Sequence, residues 1–245
     1  MKNKITTIVI GAILTLGLTG TAQAITVDGN FGFAEWAGNY SSDDGVGSSG
    51  YVGPGYGGQA FDVEYLGLKF TPGGNLYFGL QTGFDFRGPV SYGGSLYYAG
   101  DFALNVDGDA FYEYAIDFSF TGSTPAFTLK KATTWQLPSY TAHSVASPYQ
   151  LTTGTTKPAT FTGAYGTTTT NVDGGLSHIL EGSLNLSALT LYNGGPITLH
   201  WTMSCGNDYL NQTSTPTSVP EPGTLLLLGS GLVGLAWKMR RKKTS

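Results

Sequence analysis

Short runs in which apolar and polar residues alternate, separated by glycine-rich turns, make up most of the chain. Residues 61–70 and 75–81 both show this period of two, and Thr71-Pro72-Gly73-Gly74 between them is a strong turn signal. The pattern predicts a β-hairpin there. A second hairpin is predicted from residues 101–106 and 111–120, which Asp107-Gly108-Asp109-Ala110 joins.

The remaining pattern also favours strands, because no long segment repeats every 3.6 residues. Residues 186–189 are expected to form one helical turn, the threonine-rich stretch 152–170 an edge strand or a loop, and the glycine-rich segment 38–58 a mobile surface loop. Further strands are predicted at 126–131, 134–137, 178–185 and 197–203. Together these elements predict an all-β fold, an antiparallel β-sandwich of the jelly-roll kind, over residues 25–211.

The N-terminal residues have the three parts of a secretory signal. A basic start with Lys2 and Lys4 precedes an uncharged, largely apolar run over 5–18, and Ala22-Gln23-Ala24 supplies the small residues that signal peptidase reads. An N-terminal membrane anchor is the alternative, but the short apolar run and the small-residue site favour a signal peptide, residues 1–24, cut after Ala24. Signal peptidase is therefore an expected partner.

A second membrane signal is found near the C-terminus. Val219-Pro220-Glu221-Pro222-Gly223 precedes an apolar run over 224–239, whose end already contains Lys238, and Arg240, Arg241, Lys242 and Lys243 follow it. As a helix the run would be roughly 24 Å long, slightly under a hydrocarbon core of about 30 Å. We expect a linker over 212–219, then a single membrane helix whose basic end stays in the cytoplasm.

The charge and cysteine content narrow the function of the part between these signals. Residues 25–219 hold five basic against fifteen acidic side chains, a net charge of −10. This charge argues against nucleic acid and suits cations or neutral ligands such as glycans, although acidity is also an ordinary means of staying soluble. Cys205 is the only cysteine, so the chain has no internal disulfide. Its thiol is expected to be buried, with an intermolecular bond as the alternative.

Two sets of residues are candidates for ligand binding. Asp107 and Asp109, with Asp101 and Glu113 near them in sequence, offer oxygen ligands for calcium, although Asp-Gly-Asp is also an ordinary hairpin turn. Exposed aromatic rings stack on sugars, with core packing as the alternative; the candidates for glycan binding are Trp135, Tyr97 and Tyr98, and more weakly Trp36, Tyr51 and Tyr56.

No catalytic motif accompanies these residues. The three histidines, His143, His178 and His200, form no metal-binding or nucleophile motif. The sequence therefore predicts a protein that is not an enzyme and needs no cofactor, with calcium as the one ion that its acidic residues would suit. A hydrolase with hidden carboxylates is the alternative from another class.

The C-terminal residues resemble the PEP-CTERM sorting signal of Gram-negative bacteria, in which Pro-Glu-Pro is followed by an apolar stretch and a basic end. The resemblance implies that the membrane enzyme exosortase recognises Pro220, Glu221 and Pro222. It also implies that the basic tail, Arg240, Arg241, Lys242 and Lys243, acts as the retention signal. The expected product is an exported protein of the cell surface or the extracellular matrix.

The body loosely resembles family-9-like carbohydrate-binding and DOMON-like β-sandwiches. The likeness rests on Ile25-Thr26-Val27-Asp28-Gly29-Asn30 with Glu35-Trp36 after it, and on residues 75–80, 101–106, 112–117 and 181–189. It implies a sandwich that opens with a strand, under which Trp36 packs. It also carries the alternative function, a module that binds extracellular polysaccharide with the help of calcium. The methionine and histidine features of haem-binding relatives are not evident.

Overall fold

The computed structural model describes residues 25–43, 45, 51–70, 74–140, 145–170 and 175–216. Strands dominate these residues, and the only helices among them are single turns: α1 (Phe33–Trp36) and 3₁₀ turns that include Gln59–Phe61 and Leu186–Ala188. The strands are β1 (Tyr40–Ser42), β2 (Val63–Phe70), β3 (Asn75–Thr82), β4 (Val90–Tyr92), β5 (Ser95–Tyr97), β6 (Phe102–Asn105), β7 (Tyr114–Thr121), β8 (Thr124–Gln136), β9 (Gln150–Lys157), β10 (Phe161–Thr168), β11 (Ser177–Asn185), β12 (Ile197–Thr202) and β13 (Tyr209–Ser214).

Two antiparallel sheets share one hydrophobic core. The five-stranded sheet has the order β1-β2-β3-β11-β10 and the six-stranded sheet the order β13-β12-β6-β7-β8-β9, while β4 and β5 form a separate hairpin. Alternate residues of each strand point between the sheets, as in Phe78 of β3 and Phe102 of β6, whose ring centroids are 5.1 Å apart. The predicted all-β, antiparallel architecture is confirmed, and the likeness to jelly-roll or DOMON-like domains stays a prediction.

Both predicted hairpins form. β2 pairs with β3, and β6 with β7, where the alternating pattern places them. The threonine-rich stretch supplies two edge strands, β9 on the six-stranded sheet and β10 on the five-stranded sheet. Segments 126–131 and 134–137 are parts of one long strand, β8, in which bulges between Ala132 and Trp135 interrupt the alternation.

The described N-terminal residues lie across the outer face of the five-stranded sheet, and we call residues 25–37 the strap. Ile25, Phe31 and Trp36 form a small second core with Ile179 of β11. Trp36 is fully buried over two paired glycines, Gly67 and Gly79. A Cβ at Gly67 would lie 2.5 Å from the indole, so only glycine leaves room for it.

The strap departs from the expectation that residues 25–30 open the sandwich as a strand. These residues join neither sheet. Trp36 packs against the outside of β2 and β3 rather than under a first strand. The alternating pattern did not predict this, because the glycines that receive Trp36 carry no apolar side chain.

Two further predictions need correction. Within 38–58, residues 40–42 form β1, Gly53 N–H donates to the Asn207 carbonyl (2.6 Å), and Gly55 N–H donates to the Asp208 carboxylate (3.3 Å). The surface-loop interpretation is therefore wrong for these parts of the segment. The body also continues beyond residue 211, because β13 ends only at Ser214 and includes the first three residues of the predicted linker.

The predicted signal peptide (1–24) and the predicted C-terminal membrane helix with its basic tail lie outside the described residues. Within the described ranges, no helix has the length and apolar character that crossing a membrane requires.

Candidate functional site

The predicted calcium ligands lie in the turn between β6 and β7. Side-chain oxygens of Asp107, Asp109 and Glu113 lie within 4.8 Å of one another, and both aspartates are exposed. Each carboxylate also accepts a backbone N–H of the same turn, from Asp109 (3.2 Å), Phe111 (2.6 Å) and Val106 (2.7 Å) respectively. The arrangement serves as a hairpin turn and also gathers three oxygen ligands.

Asp101 does not belong to this turn, although the sequence grouped it there. It immediately precedes β6, whereas Asp107 follows that strand's last residue, Asn105. The four strand residues between them separate the two acids by roughly 13 Å or more. Asp101 lies instead on the floor of a cleft.

This cleft has a volume of about 680 Å³, within the roughly 300–1,000 Å³ usual for ligand pockets. Its lining comes from residues 86–89, from Leu96 and residues 98–101 around the end of the β4–β5 hairpin, from residues 117–120 of β7, from Gln136, Ser139, Tyr149 and Gln150, and from Ser204. Its floor is tightly packed, since a Cβ at Gly100 would lie 2.3 Å from the Tyr149 carbonyl oxygen. We call it the β6–β7 cleft.

Asp101 is the most buried acid of the cleft, with 6% of its surface exposed. Its backbone N–H donates to the Tyr149 carbonyl (3.1 Å), and its carboxylate accepts the N–H of Leu151 (2.8 Å). Burial raises the pKa of Asp101 to about 6; the Leu151 N–H opposes the rise, and the negative charge of Asp117 adds to it.

Asp117 is the partner of Asp101 across the two strands. Phe102 pairs with Ile116 in the antiparallel register, so Asp101 and Asp117 are opposite each other on neighbouring strands. Lys130 of β8 forms an ion pair with Asp117 (2.6 Å), and this hydrogen bond raises the pKa of Lys130. The lysine thereby offsets part of the repulsion between the two carboxylates.

The three predicted glycan-binding aromatics are not gathered at one place. Tyr98 lines the β6–β7 cleft and is 49% exposed. Tyr97 does not line it: its ring packs at 90° on Phe61, with centroids 5.3 Å apart, and its hydroxyl contacts that of Tyr140 (3.0 Å). Trp135 also lies outside the lining, and its indole N–H donates to the Tyr112 carbonyl (2.9 Å).

A second buried acid, Glu181, holds the strap. It is fully buried beside Gly79, its partner in register. One carboxylate oxygen accepts the backbone N–H groups of Asp28 (3.2 Å) and Gly29 (3.0 Å), and the other accepts the Trp36 indole N–H (3.4 Å). Burial raises the pKa of Glu181 to about 7, although these three donors lower it.

Other groups with catalytic chemistry are enclosed. His200 is fully buried, contacts the Asn211 side chain (2.8 Å), and has its pKa lowered by burial to about 4. His178 contacts the Tyr165 hydroxyl (2.8 Å), and burial lowers its pKa as well. Cys205 is a buried cysteine of the main core, and burial raises the pKa of its thiol to about 11.

Sequence reasoning missed most of the β6–β7 cleft. Gln136 and Gln150 attract no attention in a sequence, and they come together because β8 and β9 are paired. A signal for the acids did exist: if Phe102 and Ile116 are paired as inward-facing residues, Asp101 and Asp117 must be neighbours.

A family model for the PEP-CTERM protein-sorting motif matches residues 218–242, outside the described residues. The match contains Pro220, Glu221 and Pro222 and the basic residues up to Lys242. No curated protein and no solved structure is significantly similar to the chain.

The chain therefore carries a C-terminal export-sorting signal. It carries a PEP-CTERM motif, and this motif implies sorting of an exported protein by exosortase at the membrane.

Proposed function

We propose that the protein is a non-enzymatic component of the cell surface or the extracellular matrix of a Gram-negative bacterium. In this proposal, signal peptidase removes residues 1–24 and exosortase then processes the tail that begins at Pro220. The match of residues 218–242 to the sorting motif carries the proposal. The acidic β-rich body between the two signals is the part that is delivered.

The enclosed chemistry of the body supports a role without catalysis. His200 and Cys205 are buried, so neither is accessible as a base or a nucleophile.

The intact mass of the protein isolated from its host tests the sorting step. In cells with active exosortase, we expect a mature chain that begins at Ile25 and lacks the residues after the Pro-Glu-Pro motif. Replacing Pro220, Glu221 and Pro222 together with alanine should leave the tail attached, because the recognition residues are gone. Pro216→Ala, a proline change outside the motif, is the matched control and should be processed normally. A wild-type protein that keeps Arg240–Lys243 in such cells would contradict the proposal.

A second role, recognition of extracellular polysaccharide, is favoured by the β6–β7 cleft. It combines the exposed ring of Tyr98, which can stack on a sugar, with two exposed amides and the carboxylates of Asp101 and Asp117, which can bind sugar hydroxyl groups. The acidic body also makes nucleic acid an unsuitable partner. In this role calcium at Asp107, Asp109 and Glu113 would stabilise the turn between β6 and β7, which a calcium-dependent melting experiment measures.

A further inference from the structure

The β6–β7 cleft has one apolar wall that is unusually exposed. Leu96 and Tyr98, from the end of the β4–β5 hairpin, are 55% and 49% exposed although both are large and apolar. The Tyr98 backbone is fixed by two hydrogen bonds with Ser204, at 3.0 and 2.8 Å. A fixed backbone presents the tyrosine ring to solvent at small entropic cost, as stacking on a sugar requires.

The opposite wall offers hydrogen bonds without unpaired positive charge. Gln136 and Gln150 are exposed and provide amide donors and acceptors. Arg87 also lines the cleft, but two of its guanidinium nitrogens already donate to Asp85, at 2.8 and 2.7 Å. This pairing leaves little attraction for an anionic ligand.

The floor is negative and accepts hydrogen bonds. Asp101 and Asp117 are opposite each other, and Lys130 compensates one of the two charges. An anionic ligand would be repelled there, whereas hydroxyl groups would donate to the carboxylates in charge-assisted hydrogen bonds. A polyhydroxylated, uncharged ligand satisfies the floor and both walls together.

We propose that the β6–β7 cleft binds a short segment of a neutral polysaccharide. Tyr98 stacks on a sugar ring, Asp101 and Asp117 accept sugar hydroxyl groups, and Gln136 and Gln150 bind further hydroxyls. The site rests on the polysaccharide-binding role proposed above. Of the three main aromatic candidates from the sequence, Trp135, Tyr97 and Tyr98, this site includes only Tyr98.

Calorimetric titration of the processed, exported protein tests the site. The probes are neutral gluco-, galacto- and manno-oligosaccharides of three to four sugars, and oligogalacturonate as the acidic counterpart. We expect at least one neutral probe to bind, and the acidic probe to bind at least tenfold more weakly. Tyr98→Ala should weaken the neutral probe about tenfold by removing the stacking ring.

Asp117→Asn should weaken the same probe by about tenfold or more, because a charge-assisted hydrogen bond becomes a neutral one. Tyr92→Ala is the matched control: Tyr92 is 58% exposed but does not line the cleft, so binding should not change. Thermal melts of all variants verify folding, and Gln150→Ala provides a second exposed cleft change for which we expect a three- to tenfold loss.

The possible outcomes distinguish a failure of the proposed cleft site from a failure of the proposed polysaccharide-binding role. If a neutral probe binds wild type and the Tyr98, Asp117 and Gln150 variants equally, the cleft is not the site, although the polysaccharide role stands. If the acidic probe binds more tightly, the neutral ligand class is wrong. If no oligosaccharide binds at millimolar concentration, both the site and the role fail.

Discussion

A buried acid of the five-stranded sheet, Glu181, and one beside the six-stranded sheet, Asp101, differ in the groups that surround their carboxylates. On the five-stranded sheet, Glu181 lies beneath the strap, and both of its oxygens accept N–H groups from Asp28, Gly29 and Trp36. At the start of β6, Asp101 accepts one backbone N–H, from Leu151, and faces a cleft of about 680 Å³. Burial raises the pKa of both acids, so the pKa alone does not distinguish them.

The difference lies in what the carboxylate contacts. Glu181 satisfies donors of its own chain, so its place is structural: it holds the strap over Gly67 and Gly79. Asp101 shares its surroundings with Asp117 and with solvent in the cleft, so it retains room for an outside donor. A buried acid with a raised pKa therefore indicates a ligand site only where an accessible space adjoins it.

Truncation of the strap's tryptophan should give the largest effect. Trp36→Ala leaves a cavity over two glycines that cannot fill it, and should lower the free energy of unfolding by about 3–5 kcal/mol. Trp135→Ala is the matched control. Because Trp135 is half-buried and makes one hydrogen bond, we expect a loss of about 1 kcal/mol. Urea unfolding followed by circular dichroism measures both, and equal losses would mean that the strap does not stabilise the body.

The second largest effect is expected in the pH dependence of stability, which should differ between Glu181 and Asp101. Glu181 has a pKa of about 7 in the folded protein against its ordinary value of 4.5, so the native state holds its proton over a pH range in which the unfolded chain has lost it. Stability from this residue is therefore present below about pH 4.5 and decreases as the pH rises to about 7, by on the order of 3 kcal/mol.

The test compares unfolding free energies of wild type and Glu181→Gln at pH 5 and pH 8. The free energy of unfolding of the variant should rise relative to that of wild type as the pH rises. His178 and His200 change the stability with pH in the opposite direction, but they do so equally in both proteins, so their effect cancels in the difference. Asp101→Asn should show the same trend in a lower window, from 3.8 to about 6. A difference between wild type and Glu181→Gln that is constant with pH would disprove the assignment.

Calcium should give the smallest effect, because the carboxylates of the β6–β7 turn are mostly exposed. With a dissociation constant of about 1 mM, 10 mM calcium would stabilise the protein by about 1.4 kcal/mol and raise the melting temperature by roughly 3–6 °C. Asp109→Asn should lose most of this shift, while Asp85→Asn, an acid outside the turn, should keep it. No shift, or the same shift in both variants, would rule out calcium at this turn.

The sequence predicted the strands well where one face of the strand is buried. The pairs β2–β3 and β6–β7 alternate cleanly between core and surface, and glycine or aspartate turns bound them, so period and turn chemistry agree. β8 was divided in two because its bulges break the period near Ala132. The sequence predicts a loop over 38–58 and misses the hydrogen bonds from Gly53 and Gly55, because their partners Asn207 and Asp208 are distant in sequence.

The candidate site was harder to predict, because it depends on register. Tyr97 and Tyr98 look equivalent in a sequence, but only Tyr98 lines the cleft. Asp101 and Asp117 are sixteen positions apart in sequence, and only the pairing of β6 with β7 makes them neighbours. The sorting motif was identified from sequence because its recognition does not depend on a fold.

The burial of Cys205 has a consequence for the life of an exported protein. Thiols react as thiolates, and a group in the core whose pKa is about 11 is almost entirely protonated at neutral pH and out of reach of oxidants. The protein can therefore pass through an oxidising compartment without mispairing, dimerising through sulfur or depending on a disulfide-forming enzyme.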